Sequence, residues 1–320
     1  MIEATAESIK CGRERRGVGD ITAEPMHSGK SGLGKSPEHN EGSSSSPYSV
    51  LMSVYAKEQS SYLRESLTSM LTQTMAPDQI VVVEDGPLTT QLTATIKGFQ
   101  KQYPDIFTIV SLSQNSGLGT ALAQGILACR NEIVVRMDSD DYSFPQRVQK
   151  EITAMVQHGL DIVGSQIVEF IDSPDTPVSE SNLPCRQEDI TAYSKRRNPF
   201  RHPSVAFRKT KVLLAGNYSK EYLYFEDWDL FNRMLAADCR AANIDEPLVA
   251  MRVSSNFYER RGGLAYIGHI WKFKYAQYRK GYFTFFQFIA TVAPHIAVCI
   301  LPNGVRSLIY AKLLRKGVHR

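Results

Sequence analysis

Short runs of β-branched and aliphatic residues alternate with segments of helical period between Tyr48 and Met137. No other feature limits the fold as much. Val50 to Val54, Ile80 to Val83, Phe107 to Leu112 and Ile133 to Met137 are apolar runs bounded by turns. Runs of that kind read as strands covered on both faces. Between them lie Leu63, Leu67, Met70 and Leu71, then Leu92, Ile96 and Phe99, then Leu118, Ala121, Leu122 and Ile126, each set spaced as one face of a helix. The alternation predicts right-handed βαβ units and an α/β fold, with a mostly parallel sheet flanked by helices. Ligands of such sheets bind beyond the carboxyl ends of the strands. Glu84-Asp85 and Asp138-Ser139-Asp140-Asp141 both stand at strand ends. They are expected on one edge, within reach of one nucleotide.

The chain beyond is less regular. A helix is expected after Pro145, with Val148, Ile152, Met155 and Val156 on one face. Strand-like runs recur at 162–170, 204–207 and 247–253, and Glu226 to Ala236 reads as a helix with Leu230, Phe231 and Met234 inward. Residues 1–46 are rich in Gly, Ser and charge, and lack an apolar run. They read as a disordered extension, or as residues upstream of the true start. The domain itself is expected over 47–262, with a nucleotide-binding half at 47–142 and an acceptor-binding half at 143–262. A C-terminal helical segment, 263–320, follows. No Lys, Arg, Asp or Glu lies between Lys280 and Arg306, and basic residues flank that gap. The length allows a membrane span, a helix lying in the membrane interface, or one buried against the domain. Gln287, Pro294 and His295 interrupt the stretch and favour the interfacial reading.

The 320 residues, 42% hydrophobic, suffice for one substantial α/β domain with appendages. A net charge of +4 falls short of a nucleic-acid-binding stripe, but suits phosphate groups or an anionic membrane surface. Five scattered cysteines without a Cys-x-x-Cys pair argue against a zinc site or a thioredoxin-like motif.

Four short segments can carry chemistry. Asp138 and Asp140, alternating on an extended segment, can face one ligand while Ser139 packs away. Paired carboxylates at a strand end suit Mg²⁺ or Mn²⁺ bound with diphosphate oxygens, although an acidic turn alone explains them equally well. Val81-Val82-Val83-Glu84-Asp85-Gly86 places a carboxylate where it can accept the N3–H of uracil, or is an ordinary strand-to-turn junction. Asn115-Ser116-Gly117-Leu118-Gly119 is a helix start that can face phosphate, or a plain cap. Glu226-Asp227-Trp228-Asp229 can supply the base of a sugar transfer, or simply favour a helix dipole.

Taken together, SVLMSVYAKE, VVVEDG, NSGLGTALAQGI, RMDSDD and EDWDLFNRM resemble, in order and spacing, glycosyltransferase family 2, whose fold is GT-A. The likeness runs from about Tyr48 to about Arg261, and RHPSVAFRK and FYERRGG resemble the bacterial exopolysaccharide and O-antigen branch of amylovoran-biosynthesis type. It implies an inverting glycosyltransferase that moves a sugar from a UDP-sugar to a glycan or polyprenyl-diphosphate-linked acceptor. It implies a cytoplasmic enzyme, peripheral on the inner face of the membrane. Asp85 then matches the uracil contact, supported by Glu84; Asp138 and Asp140 match the metal pair, Asp140 the more direct ligand. Asp227 matches the catalytic base and Glu226 its support. Val54, Asn115 and Gly117 line the nucleotide. Val54-Tyr55-Ala56-Lys57 departs from the family's usual first loop. His202, Trp228, Arg252, Arg260 and Arg261 are candidate diphosphate or acceptor contacts. The alternative from another class is a catalytically silent scaffold subunit of a polysaccharide-synthesis complex. A sugar-nucleotide pyrophosphorylase would need a Gly-rich, Arg-containing first loop, which Ala56-Lys57-Glu58 does not provide.

Overall fold

The computed structural model describes residues 46–253, 264–301 and 316–317. Strand β1 (Tyr48–Val54) leads into helix α1 (Ser60–Leu71), β2 (Gln79–Glu84), α2 (Thr90–Gln102), β3 (Phe107–Ser111), α3 (Leu118–Ala128) and β4 (Ile133–Arg136). β1 pairs in parallel with β2 and with β4, and β2 pairs in parallel with β3. Each of these strands except β3 is buried along nearly its whole length. Leu63, Leu67 and Met70 of α1 and Leu92 and Ile96 of α2 close one face of the sheet. Ala121, Leu122 and Ile126 of α3 close the other. Helical spacing in the sequence therefore became two-sided burial of a parallel sheet.

The next elements are β5 (Tyr142–Ser143), α4 (Arg147–His158), β6 (Ile162–Phe170), β7 (Ser179–Glu180), α5 (Gln187–Ser194), a 3₁₀ turn at His202–Ser204, β8 (Ala206–Arg208) and α6 (Lys209–Leu214). They are followed by α7 (Glu226–Ala236) and β9 (Ala241–Arg252). β8 lies antiparallel between β4 and β6, and joins the parallel half to a mixed one. β6 and β9 pair in parallel, and β9 returns antiparallel to β5 just after the acidic turn. Pro247 sits in β9 where the β6–β9 register shifts, a position that tolerates a missing N–H.

Three details differ from the sequence reading. α4 begins at Arg147, so Pro145 precedes its cap, and Val156 faces outward at 58% exposure. β9 starts six residues before Pro247, because its first residues pair with Ile162 to Ser165. Among the described residues the C-terminal segment holds two helices, α8 (Leu264–Arg279) and α9 (Phe285–Ile300), with a short strand β10 (Lys316–Gly317) pairing antiparallel with β7. No helix among the described residues is long and apolar enough to cross a membrane. α9 starts on a capping box between Thr284 and Gln287 and contains Pro294. Ile270, Phe273 and Phe283 pack with Phe225 and Trp228, and so fix this pair of helices to the start of α7.

Candidate active site

The sheet places the acids. Val54 pairs with Glu84 across β1 and β2, and Leu51 pairs with Arg136 across β1 and β4. β2 and β4 thus end on the same edge, on either side of β1. Val54 is fully buried, and its carbonyl accepts the Asp85 N–H at 2.8 Å. It lines the strand ends through its backbone.

Asp85 is buried, and both its carboxylate oxygens are engaged by backbone. The Ser116 N–H donates to Oδ1 at 2.7 Å and the Gly117 N–H to Oδ2 at 3.1 Å. The Asn115 side-chain amide donates to the Asp85 carbonyl at 3.3 Å. Gly86 adopts φ +84°, and a Cβ there would lie 2.5 Å from the Asn115 nitrogen, so only glycine lets the two turns close together. Asp85 therefore organises the loop before α3. The neighbouring Glu84 is more exposed and accepts the Ser111 hydroxyl on Oε2 at 2.6 Å.

The acidic cluster is a turn at Ser139–Asp140, where an extended segment was expected. Turning brings a third acid inward: carboxylate oxygens of Asp138, Asp140 and Asp141 lie within 4.8 Å of one another. Ser139 is buried, as expected, and donates to Glu58 Oε2 at 2.8 Å. Burial, then the charges of Asp138 and Glu58, push the Asp140 carboxyl up to about 7. Burial and its two acidic neighbours hold Asp141 well above the usual carboxylate range. Asp141 Oδ1 accepts the Arg252 N–H at 2.7 Å, while Oδ2 is buried with no hydrogen-bond partner among the described residues. Three mutually repelling carboxylates, one of them buried with an orphaned oxygen, are what a divalent cation would relieve.

Three arginines brace this turn. Arg147, fully buried, donates Nη2 to the Arg136 carbonyl at 2.8 Å and Nε to Glu151 at 2.9 Å. Arg136 pairs with Asp138. Arg252 donates Nε to the Asp140 carbonyl at 3.0 Å, pairs with Glu65, and lies 4.0 Å over the Tyr62 ring. Arg252 thus holds the turn's backbone. Arg260 and Arg261 lie outside the described residues.

The second acidic pair opens α7. Asp227 Oδ2 accepts the Asn198 amide at 2.7 Å, and Oδ1 accepts the Trp228 N–H at 2.7 Å. Burial, then the charge of Asp227, raises Glu226 to about 7. α7 starts against α3: a Cβ on Gly119 would lie 3.2 Å from the Glu226 Cβ. The two halves meet at Tyr218, whose phenol senses Arg136, Asp227, Glu226 and Asp138 together. Its hydroxyl shares a 2.9 Å hydrogen bond with His202 Nε2. Burial, then the nearby Arg136 charge, keeps His202 neutral, well below its usual value. Trp228 is 5% exposed, and its indole donates to the Ser194 carbonyl at 2.8 Å. It packs in the core with Phe225 and Phe273.

Asp141, Arg136, Asn198 and Tyr218 were not singled out by the sequence reading. Only Asp141 and Arg136 left a signal, as charged neighbours of the paired acids on a buried strand; Asn198 and Tyr218 are far from any motif.

The sequence model described as glycosyl transferase family 2 matches residues 49–215. The chain is 37% identical to UDP-Gal:alpha-D-GlcNAc-diphosphoundecaprenol beta-1,3-galactosyltransferase of Escherichia coli, over 84% of this chain and 97% of that one. It is 34% identical to the amylovoran biosynthesis glycosyltransferase AmsE of Erwinia amylovora, over 84% of this chain and all of that one. Among solved structures it is similar to S. aureus TarS 1–349 in complex with UDP-GlcNAc, with TM-score 0.54, 16% identity, and 84% of this chain and 71% of that one covered. Mannosyltransferase PcManGT from Pyrobaculum calidifontis, in complex with GDP-Man and Mn²⁺, gives TM-score 0.54, 16% identity, and coverage of 83% and 79%. These structures share the GT-A arrangement of sheet and helices. With acids gathered on one edge of that sheet and a family match over more than half its length, the chain belongs to glycosyl transferase family 2 and is a glycosyltransferase.

Proposed function

We propose that the protein moves a sugar from a UDP-sugar to a hydroxyl of a glycan or polyprenyl-diphosphate-linked acceptor, with inversion, at the inner face of the cell membrane. One observation supports this most. The three carboxylates of the acidic turn lie together, and Glu226 at the start of α7 stands against the start of α3, whose leading loop Asp85 holds. The curated relative from Escherichia coli carries both a UDP-sugar and a diphosphoundecaprenol acceptor in its description.

Asp138, Asp140 and Asp141 would hold Mg²⁺ or Mn²⁺, which neutralises the diphosphate as a leaving group. Asp85 would accept the uracil N3–H, with Glu84 beside it, and it holds the loop that presents Ser116 and Gly117 at the start of α3. Asp227, fixed by Asn198, takes the acceptor hydroxyl's proton. The acceptor oxygen bonds to the anomeric carbon as the bond from that carbon to the diphosphate oxygen breaks. Glu226, protonated until about pH 7, keeps a second negative charge away from the base.

The test is UDP release with Mn²⁺ or Mg²⁺ across a panel of UDP-sugars and a lipid-linked acceptor. Absence of release from every donor would leave the scaffold subunit as the better reading. Asp227→Asn is expected to lower transfer by roughly 10²–10⁴-fold while UDP binding persists. Lost UDP binding in that variant would mean that Asp227 is not the base.

A further inference from the structure

Arg136 ends β4 immediately below the acidic turn, and it is 1% exposed. We propose that it is a positioning residue that occupies Asp138 until a nucleotide diphosphate arrives with the cation, so that cation binding depends on the nucleotide. The inference rests on the reading of Asp138, Asp140 and Asp141 as the cation's ligands.

The guanidinium is placed at a cost. Nη2 pairs with Asp138 Oδ1, but Nε and Nη1 are buried with no hydrogen-bond partner among the described residues. A buried ion pair is weak support for a fold, and orphaned donors weaken it further. Arg147 already secures the same stretch of backbone through the Arg136 carbonyl. The charge of Arg136 is nonetheless felt at Asp140, Asp141, Glu226, Tyr218 and His202, on both sides of the cleft. It is a buried positive charge fixed beside Asp138.

Its effect on a divalent cation follows from sign. A cation arriving alone must share Asp138 with the buried guanidinium, at a separation where like charges repel. A cation arriving with a diphosphate brings compensating negative charge, and the repulsion is offset. Nucleotide and cation then favour each other by the same factor.

The experiment measures Mn²⁺ binding to the full chain from the electron paramagnetic resonance signal of free Mn²⁺, with and without UDP. For the wild type, UDP is expected to tighten Mn²⁺ binding about tenfold or more, within the usual range of coupling between sites. Arg136→Met is expected to bind Mn²⁺ about tenfold more tightly without UDP and to lose most of the UDP effect. Arg136→Lys keeps the charge and should retain weak binding without UDP. A merely structural arginine would not tighten Mn²⁺ binding when removed. Equal wild-type affinities with and without UDP overturn the proposal, and that comparison needs no variant. A folded Arg136→Met protein that binds Mn²⁺ no more tightly overturns it as well. If Mn²⁺ binds under neither condition, what fails is the reading of the acidic turn itself.

Discussion

Single side chains outside the motifs set the state of the acids within them. Asn198 has no catalytic chemistry, yet its amide fixes Asp227 at 2.7 Å while its own Oδ1 accepts the Phe200 N–H at 3.3 Å. Asn198→Ala should remove the hydrogen bond on Asp227 Oδ2 and leave Oδ1 on the Trp228 N–H. We expect kcat to fall roughly 10–100-fold with little change in KM for the donor, because the alignment of the proposed base is loosened and nucleotide contacts are not touched. A rise in KM alone would place Asn198 in the binding surface. Glu151 is a cleaner pH probe than the site acids. It is fully buried, and burial outweighs the Arg147 charge to raise it from 4.5 to about 7. Between those values the fold keeps a proton that the unfolded chain has released, so stability falls as pH rises through that window. Asp140 and Glu226 act in the same direction, which makes the comparison with a variant essential. Glu151→Gln should gain on the wild type from pH 5 to pH 8, by at most about 3 kcal/mol. A difference in melting temperature that does not vary with pH would show that Glu151 does not titrate in this window.

Between elements, the critical joint is the start of α3 against the start of α7. A methyl on Gly119 would lie 2.5 Å from the Ser219 carbonyl oxygen and 3.2 Å from the Glu226 Cβ. Gly119→Ala should therefore cost roughly 1–3 kcal/mol and move the acidic pair, lowering activity as well. Gly98 in α2 is exposed with open space around it, and Gly98→Ala should stabilise by roughly 0.5–1 kcal/mol without touching activity. Urea denaturation of the two variants should move in opposite directions; destabilisation by both would remove the packing argument. Much of this level was legible in the sequence. β1 to β4 announced themselves because strands buried on both faces are continuous apolar runs, and α7 was legible over its full length because Leu230, Phe231 and Met234 mark one face. Placement of Asp85 and the acidic turn on one edge followed from the parallel direction of β2 and β4. What escaped depends on contacts between distant residues. β8 is three residues long and slips antiparallel between β4 and β6, a pairing that no local pattern records. Asp141 joined the cluster because a turn replaced an extended segment, and Asn198 reaches Asp227 from 29 positions away.

At the scale of the whole molecule, charge and apolar surface are unevenly divided. Residues 261–320 contain ten Lys or Arg and no Asp or Glu, although the full chain is only +4. In the same region Phe286 is 83% exposed, and Ile300, Phe285 and Trp271 also face outward. A groove between α8 and α9 is lined by Trp271, Ile289, Val292, Ile296 and Ile300. At 16 residues α9 is about 24 Å long, short of the roughly 30 Å hydrocarbon core of a bilayer. An apolar, aromatic face on a basic stretch of the chain fits the interface of an anionic bilayer better than its interior. The same helices pack through Phe273 and Phe283 onto Phe225 and Trp228, next to Asp227, so a docked face would hold the base close to a lipid-linked acceptor. We therefore expect the full chain to sediment with phosphatidylglycerol vesicles and less with phosphatidylcholine vesicles, the difference shrinking as salt rises. Inserting a Phe side chain contributes roughly 1.5–3 kcal/mol, so Phe286→Glu with Ile300→Glu should reduce vesicle binding at least about tenfold. UDP release with a water-soluble acceptor should be unchanged in that variant, and release with the lipid-linked acceptor should fall. Undiminished vesicle binding by the double variant would place the membrane contact elsewhere on the molecule.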